Sequence, residues 1–310
     1  MNKINYSANK VKFLLLPVII IIAGIIMYFV HSGFNFDVEF VGGIRMQVDI
    51  AEDFSNDDIK DIVKESTGLE ATVQKSSGTA VIKLPATDAE DGGESNKNAV
   101  LDALSEKYTV DTNNAKISSA AASFGKQVQT KALTFTLLAI LCILIYIIIR
   151  FEWRSAVMAV MALAINVLVM ASVYTITNIA INTTFIAAML TVVGYSINNT
   201  IVIFDRIREN MKSRRRSESI SEMTNRSISE TLGRTINSTI TTLITIVLIY
   251  ILGVSTIKEF ALPLIIGIII GAYTSIFIAS TFWAAWKESD VEAKAAAAAE
   301  RRASAKKKNK

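Results

Sequence analysis

The residues best placed to do chemistry lie between Thr191 and Asn210, in TVVGYSINNTIVIFDRIREN, where a polar cluster interrupts an apolar run otherwise long enough to cross a bilayer. Gly194, Tyr195, Ser196, Asn198, Asn199 and Thr200 sit inside the run. A polar group in hydrocarbon must find a partner in protein or a watery cavity, so the cluster marks a functional site by default. At 3.6 residues per turn, Tyr195, Asn199 and Val202 share one stripe, and Asn198 lies on the next with Gly194 and Ile201. Such a face should point at other helices. The run ends abruptly in Asp205, Arg206, Arg208 and Glu209. Amides and hydroxyls hydrogen-bond and ligate ions but do not titrate near neutral pH. Asp205 is no substitute for a carboxylate inside the cluster, because it lies about 9 Å further along the helix axis from Asn199, at the charged edge. A second polar helix is written in ETLGRTINSTITTLITIVLIYILGV, with Arg234, Asn237, Thr239, Thr241, Thr242 and Thr245. Arg234 can mark the membrane edge by snorkelling. If the two polar helices pack together, it can also reach the Asn198–Asn199 region.

The elements that must hold these residues follow from composition. The chain has 310 residues, of which 51% are hydrophobic and 19% charged, and its mean hydropathy is +0.41. It is too apolar for an ordinary soluble domain. Runs at 13–30, 133–149, 156–176, 183–204, 236–252 and 260–283 are each long enough to span, predicting six transmembrane helices. The first is longer than a signal core and no small-x-small cleavage pattern follows it, so it reads as an uncleaved anchor. The formal charge of +4 is unevenly spread. Basic residues flank the spans at 1–12, after Phe204 and in the tail 287–310, whereas 37–128 is acidic. That asymmetry fits the positive-inside rule, with both termini cytoplasmic, and gives no reason to invoke nucleic acid. The segment 205–234 is expected to form amphipathic helices on the inner surface, where Arg214, Arg215 and Arg216 either touch anionic lipid or another protein or are simply the solvated charge of a positive-inside loop. The tail is expected to be a frayed helix or disordered. Gly267 and Gly271 give a G-x-x-x-G spacing in the last span that permits close helix approach.

Residues 37–128 form the soluble part. Ile44–Ile50 alternates as a strand. Ser55 caps a helix with Ile59, Ile62 and Val63 inward, and Leu69–Gln74 and Ala80–Leu84 are two further strands. Ser95 caps a second helix carrying Val100, Leu101 and Leu104, and Ala115–Ala121 is a fourth strand. The order β-α-β-β-α-β is the ferredoxin-like arrangement, an α+β domain placed outside the cytoplasm between spans one and two. Thr87–Glu94 is expected as an exposed acidic loop. At the entrance to the domain, FDVEFVGGIRMQV carries adjacent glycines, Gly42 and Gly43, suited to a tight turn. Cys142 is alone, so no intrachain disulfide forms. His31 has no metal-ligating neighbour in sequence, and no metal or cofactor is expected.

The run VVGYSINNTIVIFDRIREN resembles the fourth transmembrane segment of the SecF family of the bacterial Sec protein translocase, whose pattern is close to VVGYSIND(S/T)VVVFDRIREN. FDVEFVGG resembles the family's G-x-D-F-x-G-G signature, with Glu39 in place of Asp and Phe40, Gly42 and Gly43 kept. The second polar helix resembles the fifth-span entry T-x-x-R-T-x-x-T-x-x-T-T-L, with Arg234 at its Arg. The resemblance implies a bacterial cytoplasmic membrane protein that pairs with SecD. The pair uses the transmembrane ion gradient to assist SecYEG in drawing unfolded polypeptide outward. A charge moved down 100 mV yields about 2.3 kcal/mol, enough to bias a conformational cycle. The resemblance further implies an ion-coupling seam of Tyr195, Ser196, Asn198, Asn199, Thr200, Arg234, Asn237 and Thr241, built in the family around a carboxylate beside the Arg. This chain has Asn199 where that carboxylate stands. Three readings follow: the SecD partner carries the titrating Asp and Asn199 hydrogen-bonds to it, the ion is sodium, or coupling is weakened. The first is preferred.

No H-E-x-x-H, G-x-S-x-G or Walker A run is present, so the residues argue for a transporter or motor subunit and against an enzyme. Two alternatives remain at this level. A small exporter of the resistance-nodulation-division type should have a duplicated body and two outside domains. A non-conducting assembly subunit would need no polar seam.

Overall fold

The computed structural model describes residues 5–76, 78–85, 94–110, 115–120, 122–215 and 217–308. In chain order they form α1 (Lys10–Val30), α2 (Val38–Val41), β1 (Gly43–Asp49), α3 (Asn56–Thr67), β2 (Thr72–Ser76), β3 (Thr79–Leu84), α4 (Glu94–Lys107) and β4 (Lys116–Ala120). The long helices α5 (Ala122–Arg150), α6 (Trp153–Thr177), α7 (Thr183–Lys212), α8 (Ile220–Leu252) and α9 (Ser255–Thr274) follow. A π-helical turn, Ser275–Ala279, then leads into α10 (Ser280–Lys308). The residues gather into two compact units, one of Phe34–Thr136 with Ile179–Thr183, the other of the remaining segments.

In the smaller unit the sheet order is β2-β3-β1-β4, antiparallel throughout. Alternation sorts the residues: Ile44, Met46 and Val48 on β1 and Ala80, Ile82 and Leu84 on β3 are buried. They pack with Ile59 and Val63 of α3 and Val100 and Leu104 of α4 in one apolar cluster. Ser55 caps α3, its side chain accepting from the Asp57 N–H, and Gly68 ends it in the left-handed conformation at φ +71°. Two expectations need correction. The strand expected at Leu69–Gln74 is shifted to Thr72–Ser76, because the chain must first leave the Gly68 cap and turn at Leu69, whose N–H is taken by the Thr67 hydroxyl. Ser95 lies inside α4, which has already begun at Glu94. Of the loop expected at Thr87–Glu94, only Glu94 falls within the described residues.

Among the described residues six helices are long and apolar enough to cross a membrane, Lys10–Val30, Thr130–Arg150, Trp153–Ile176, Thr183–Lys212, Ile220–Leu252 and Ile257–Ala298. Small residues let them pack closely. On α6 Ala156, Ala159 and Ala162 recur every third residue and are buried, and a Cβ on Gly24 of α1 would stand 2.4 Å from the Ser172 Cβ of α6. Large apolar side chains such as Ile19, Phe29, Leu138, Ile149 and Leu252 are exposed, as lipid-facing side chains are in a spanning helix. The helices overrun the apolar stretches. The segment 205–234 is largely helical: its first residues finish α7, which ends at Lys212, and its last belong to α8, which begins at Ile220. Polar residues such as Glu, Arg and Lys are good helix formers, so nothing stops the helices where the apolar run stops. The tail likewise continues α10 to Lys308.

A buried polar seam and its flanking clusters

Helix α7 brings Ser196, Asn199 and Thr200 to its inner side, each at most 3% exposed. They meet residues the sequence did not single out. Asn166 of α6 is fully buried; its Nδ2 donates to the Ser196 Oγ at 2.7 Å, and its Oδ1 accepts from the Thr274 Oγ1 of α9 at 2.6 Å. Ser275, the first residue of the π turn, donates to the Ser196 carbonyl at 3.2 Å and lies 2.8 Å from the Thr200 Oγ1. The result is a self-satisfied polar layer linking α6, α7 and the α9–π junction. A π turn displaces the following side chains relative to an α-helix, and such turns favour functional positions.

Two glycines make this approach possible. A Cβ on Gly271 would lie 3.1 Å from the Ser196 Cβ and Oγ, and one on Gly267 would lie 2.4 Å from a Val192 methyl and 2.8 Å from the Met170 sulfur. The G-x-x-x-G spacing thus marks the contact of α9 with α7 and α6.

Two side-chain groups in this region stay unpaired. The Asn199 Nδ2 and the Tyr195 hydroxyl, one helical turn apart, are buried with no hydrogen-bond partner among the described residues. An unmade hydrogen bond at a buried donor costs about 1–3 kcal/mol, so each calls for an explanation. The other expected seam residues lie elsewhere. Asn198, Arg234, Asn237 and Thr241 are exposed, and the Thr241 hydroxyl bonds the Asn237 carbonyl of its own helix at 2.8 Å. Arg234 makes no hydrogen bond or ion pair among the described residues, and so does not reach Asn199. The reason is angular: Thr235 and Thr239 take the buried stripe of α8, and Arg234, Asn237 and Thr241 take the opposite one.

The charged end of α7 is tied to its neighbours. Arg206 bonds Glu230 of α8 and Glu209 of its own helix, both at 2.6 Å. Buried Asn210 donates to the Ser227 Oγ at 2.9 Å and to Glu230 at 2.8 Å. Asp205 lies 3.5 Å from Arg150, the last residue of α5, and Arg208 donates to the Arg150 carbonyl at 3.5 Å. Nearby, Glu152 holds Lys287 at 2.7 Å and Arg154 at 2.9 Å. Burial pushes the Glu152 carboxyl up, but these two cations outweigh it and hold the carboxyl below its ordinary value of 4.5.

At the signature turn, Glu39 accepts from both the Thr183 N–H at 2.8 Å and its hydroxyl at 2.6 Å, capping the start of α7. Phe40 is buried, and Gly42 and Gly43 adopt φ +84° and +126°, open to glycine at no steric cost. Asp37, fully buried, bridges Arg45 of β1 at 3.1 Å and Lys83 of β3 at 3.2 Å, two residues opposite each other in the register. Among the described residues no three His, Cys, Asp or Glu side chains converge as metal ligands.

Six apolar helices with a buried hydroxyl–amide layer, and a small antiparallel α/β unit, define a polytopic membrane protein. The family model described as "Protein export membrane protein SecD/SecF, C-terminal" matches residues 100–289. The chain is 32% identical to the protein translocase subunit SecF of Escherichia coli O157:H7, over 89% of this chain and 84% of that one. It is 31% identical to the protein translocase subunit SecDF of Bacillus subtilis, over 92% of this chain but 38% of that longer one. Its structure is similar to that of SecDF from Thermus thermophilus, a translocon-associated membrane protein, with a TM-score of 0.82 and 28% identity. That match covers 92% of this chain and 39% of the other. The chain belongs to the SecD/SecF family.

Proposed function

We propose that the chain is a SecF-type subunit of the Sec translocase, paired with a SecD-like chain and assisting export through SecYEG at the expense of an ion gradient. The observation that carries this reading is the set of polar side chains that two spanning helices leave exposed: Asn198 on α7 and Arg234 and Asn237 on α8. None of the three side chains has a hydrogen-bond partner among the described residues, and hydrocarbon is a costly environment for such groups. A membrane-embedded partner supplies what lipid cannot. The length relation supports it: this chain matches two-fifths of the fused SecDF chains, leaving room there for a second half.

In this reading the smaller unit is ferredoxin-like and lies outside the cytoplasm. Its support is the element order β1-α3-β2-β3-α4-β4 with sheet order β2-β3-β1-β4. Both termini then lie in the cytoplasm with the Arg- and Lys-rich ends of the spans. Asn199 cannot carry a proton, so the titrating carboxylate belongs to the partner. The hydroxyl–amide layer on Asn166 is the polar device that rearranges with it, and the unpaired Asn199 and Tyr195 groups are its open positions. The test is export from inverted vesicles bearing this chain, its SecD-like partner and SecYEG, with the proton and sodium gradients collapsed separately. The expected result is gradient-dependent export that survives Asn199→Ala and is lost with the partner's intramembrane Asp. Export indifferent to both gradients would overturn the motor reading.

A further inference from the structure

At the charged end of the helices, a cavity of about 410 Å³ opens where α5 hands over to α6, against the ends of α7 and the start of α10. Four cations line it, Arg150, Arg208, Lys212 and Lys287, against one carboxylate, Glu152. Glu152 is already taken by Lys287 and Arg154. Arg150 has one carboxylate among the described residues, exposed Asp205 at 3.5 Å, and lies over the Phe151 ring at 5.4 Å. Arg208 has a carbonyl, and Lys212 has no partner among the described residues. Arg208 and Lys212 are four residues apart on one helix, where like charges repel unless an anion lies between them. The cavity therefore holds unspent positive charge in a fixed arrangement.

Its remaining wall is apolar, with Phe151 and Met211 partly exposed and Phe204, Ile207 and Trp283 buried. The indole N–H of Trp283 has no acceptor among the described residues. The place is fixed by the chain itself. Arg150 closes one apolar span and Trp153 opens the next, so the turn between them lies at the edge of the apolar layer. Beside it the Trp153 and Trp286 rings meet edge to face at 5.0 Å with Arg154 stacked over both, the aromatic and basic arrangement of a membrane interface.

The geometry points to a site for the phosphodiester headgroup of an anionic phospholipid. The phosphate sits among Arg150, Arg208 and Lys212, and the upper part of the acyl chains lies along the apolar wall. Guanidinium and ammonium groups supply the charge-assisted hydrogen bonds a phosphate accepts. The apolar wall is what a free phosphate would not use. Basic pockets between helix ends at a charged membrane surface have this chemistry. The inference stands independently of the export reading.

All three tryptophans of the chain lie at this end, so their fluorescence reports occupancy. The full-length protein in neutral detergent is titrated with short-chain phosphatidylglycerol, with phosphatidylcholine of the same chain length, and with inorganic phosphate. Phosphatidylglycerol is expected to give a saturable change and the other two none at the same concentrations. The pair Arg208→Gln and Lys212→Gln is expected to weaken binding about twenty-five-fold, about fivefold for each cation removed. Arg215→Gln, outside the cavity, should leave binding unchanged, and Glu152→Gln should tighten it. If the double variant does not fold, Lys212→Gln alone is expected to show the fivefold loss. Equal binding of phosphatidylcholine would make this an apolar cleft only. Equal binding of phosphate would make it a site for free anions, and equal loss on Arg215→Gln would make the attraction diffuse. Each of these overturns the proposal.

Discussion

Asn166 holds the buried layer together because it is the only member that both donates to α7 and accepts from α9. Asn166→Leu should leave the Ser196 and Thr274 hydroxyls without that partner and cost about 2 kcal/mol, read as a lower thermal midpoint of the purified protein. Combining it with Thr274→Val should recover part of the loss, since removing both partners costs less than stranding one. The glycines give a paired test. Gly267→Ala should cost about 2 kcal/mol, because its Cβ would enter Val192, whereas Gly194→Ala, with nothing within 4 Å, should be neutral or stabilising in the same assay. The polar cluster and the stripe of Tyr195 and Asn199 were legible because a polar cluster in an apolar run has a helical phase, but the outward turn of Asn198 was not. Asn166 was not, because a lone amide among Ala, Val and Leu carries no phase of its own. Only the packing of α9 against α6 and α7 shows what it serves.

Elements are set at their ends. Glu39 satisfies the first N–H of α7 from another part of its unit, and Glu39→Ala should cost about 1 kcal/mol, with Glu39→Gln recovering part of it. The measurement is hydrogen exchange at residues 183–186, which should rise in the Ala variant if the cap is lost. The turn between α5 and α6 brings a pH dependence. The folded Glu152 carboxyl is held below 4.5, so its stabilising pairs with Lys287 and Arg154 are fully present above that pH and are lost as pH falls through the lowered value. Thermal unfolding from pH 7 down to about 3.5 should lose less in Glu152→Gln than in the unmodified chain over the acid part of that range. At this scale the period-two run Ile44, Met46, Val48 and the Ser55 cap were readable, since strand alternation and capping are local. The continuity of α7 and α8 with the helices of 205–234 was not, because the end of an apolar run does not mark the end of a helix.

At the scale of the molecule, the informative fact is where polarity is left over. Asn198, Arg234 and Asn237 face outward from this chain, as expected under the proposed pairing with a membrane-embedded partner. Asn237→Leu with Arg234→Leu should leave the thermal midpoint of the isolated chain nearly unchanged. Co-purification of a SecD-like partner from the same membranes should fall about tenfold or more. Retention of the partner at full yield would remove the basis for placing the interface there.

The sequence by itself determined the membrane class, the six apolar helices, the chain order of the small α/β unit and the family. Hydropathy, alternation and motif spacing are properties of contiguous residues, and water or lipid acts on them locally. Tertiary structure alone decided which polar residues are inside. The phase of each helix against its neighbours turned Asn199 inward and Asn198 outward, buried Thr235 rather than Arg234, and seated Asn166 between Ser196 and Thr274. That phase is fixed by close contacts between distant segments, Gly267 on Val192 and Gly271 on Ser196, whose free energy depends on both partners at once.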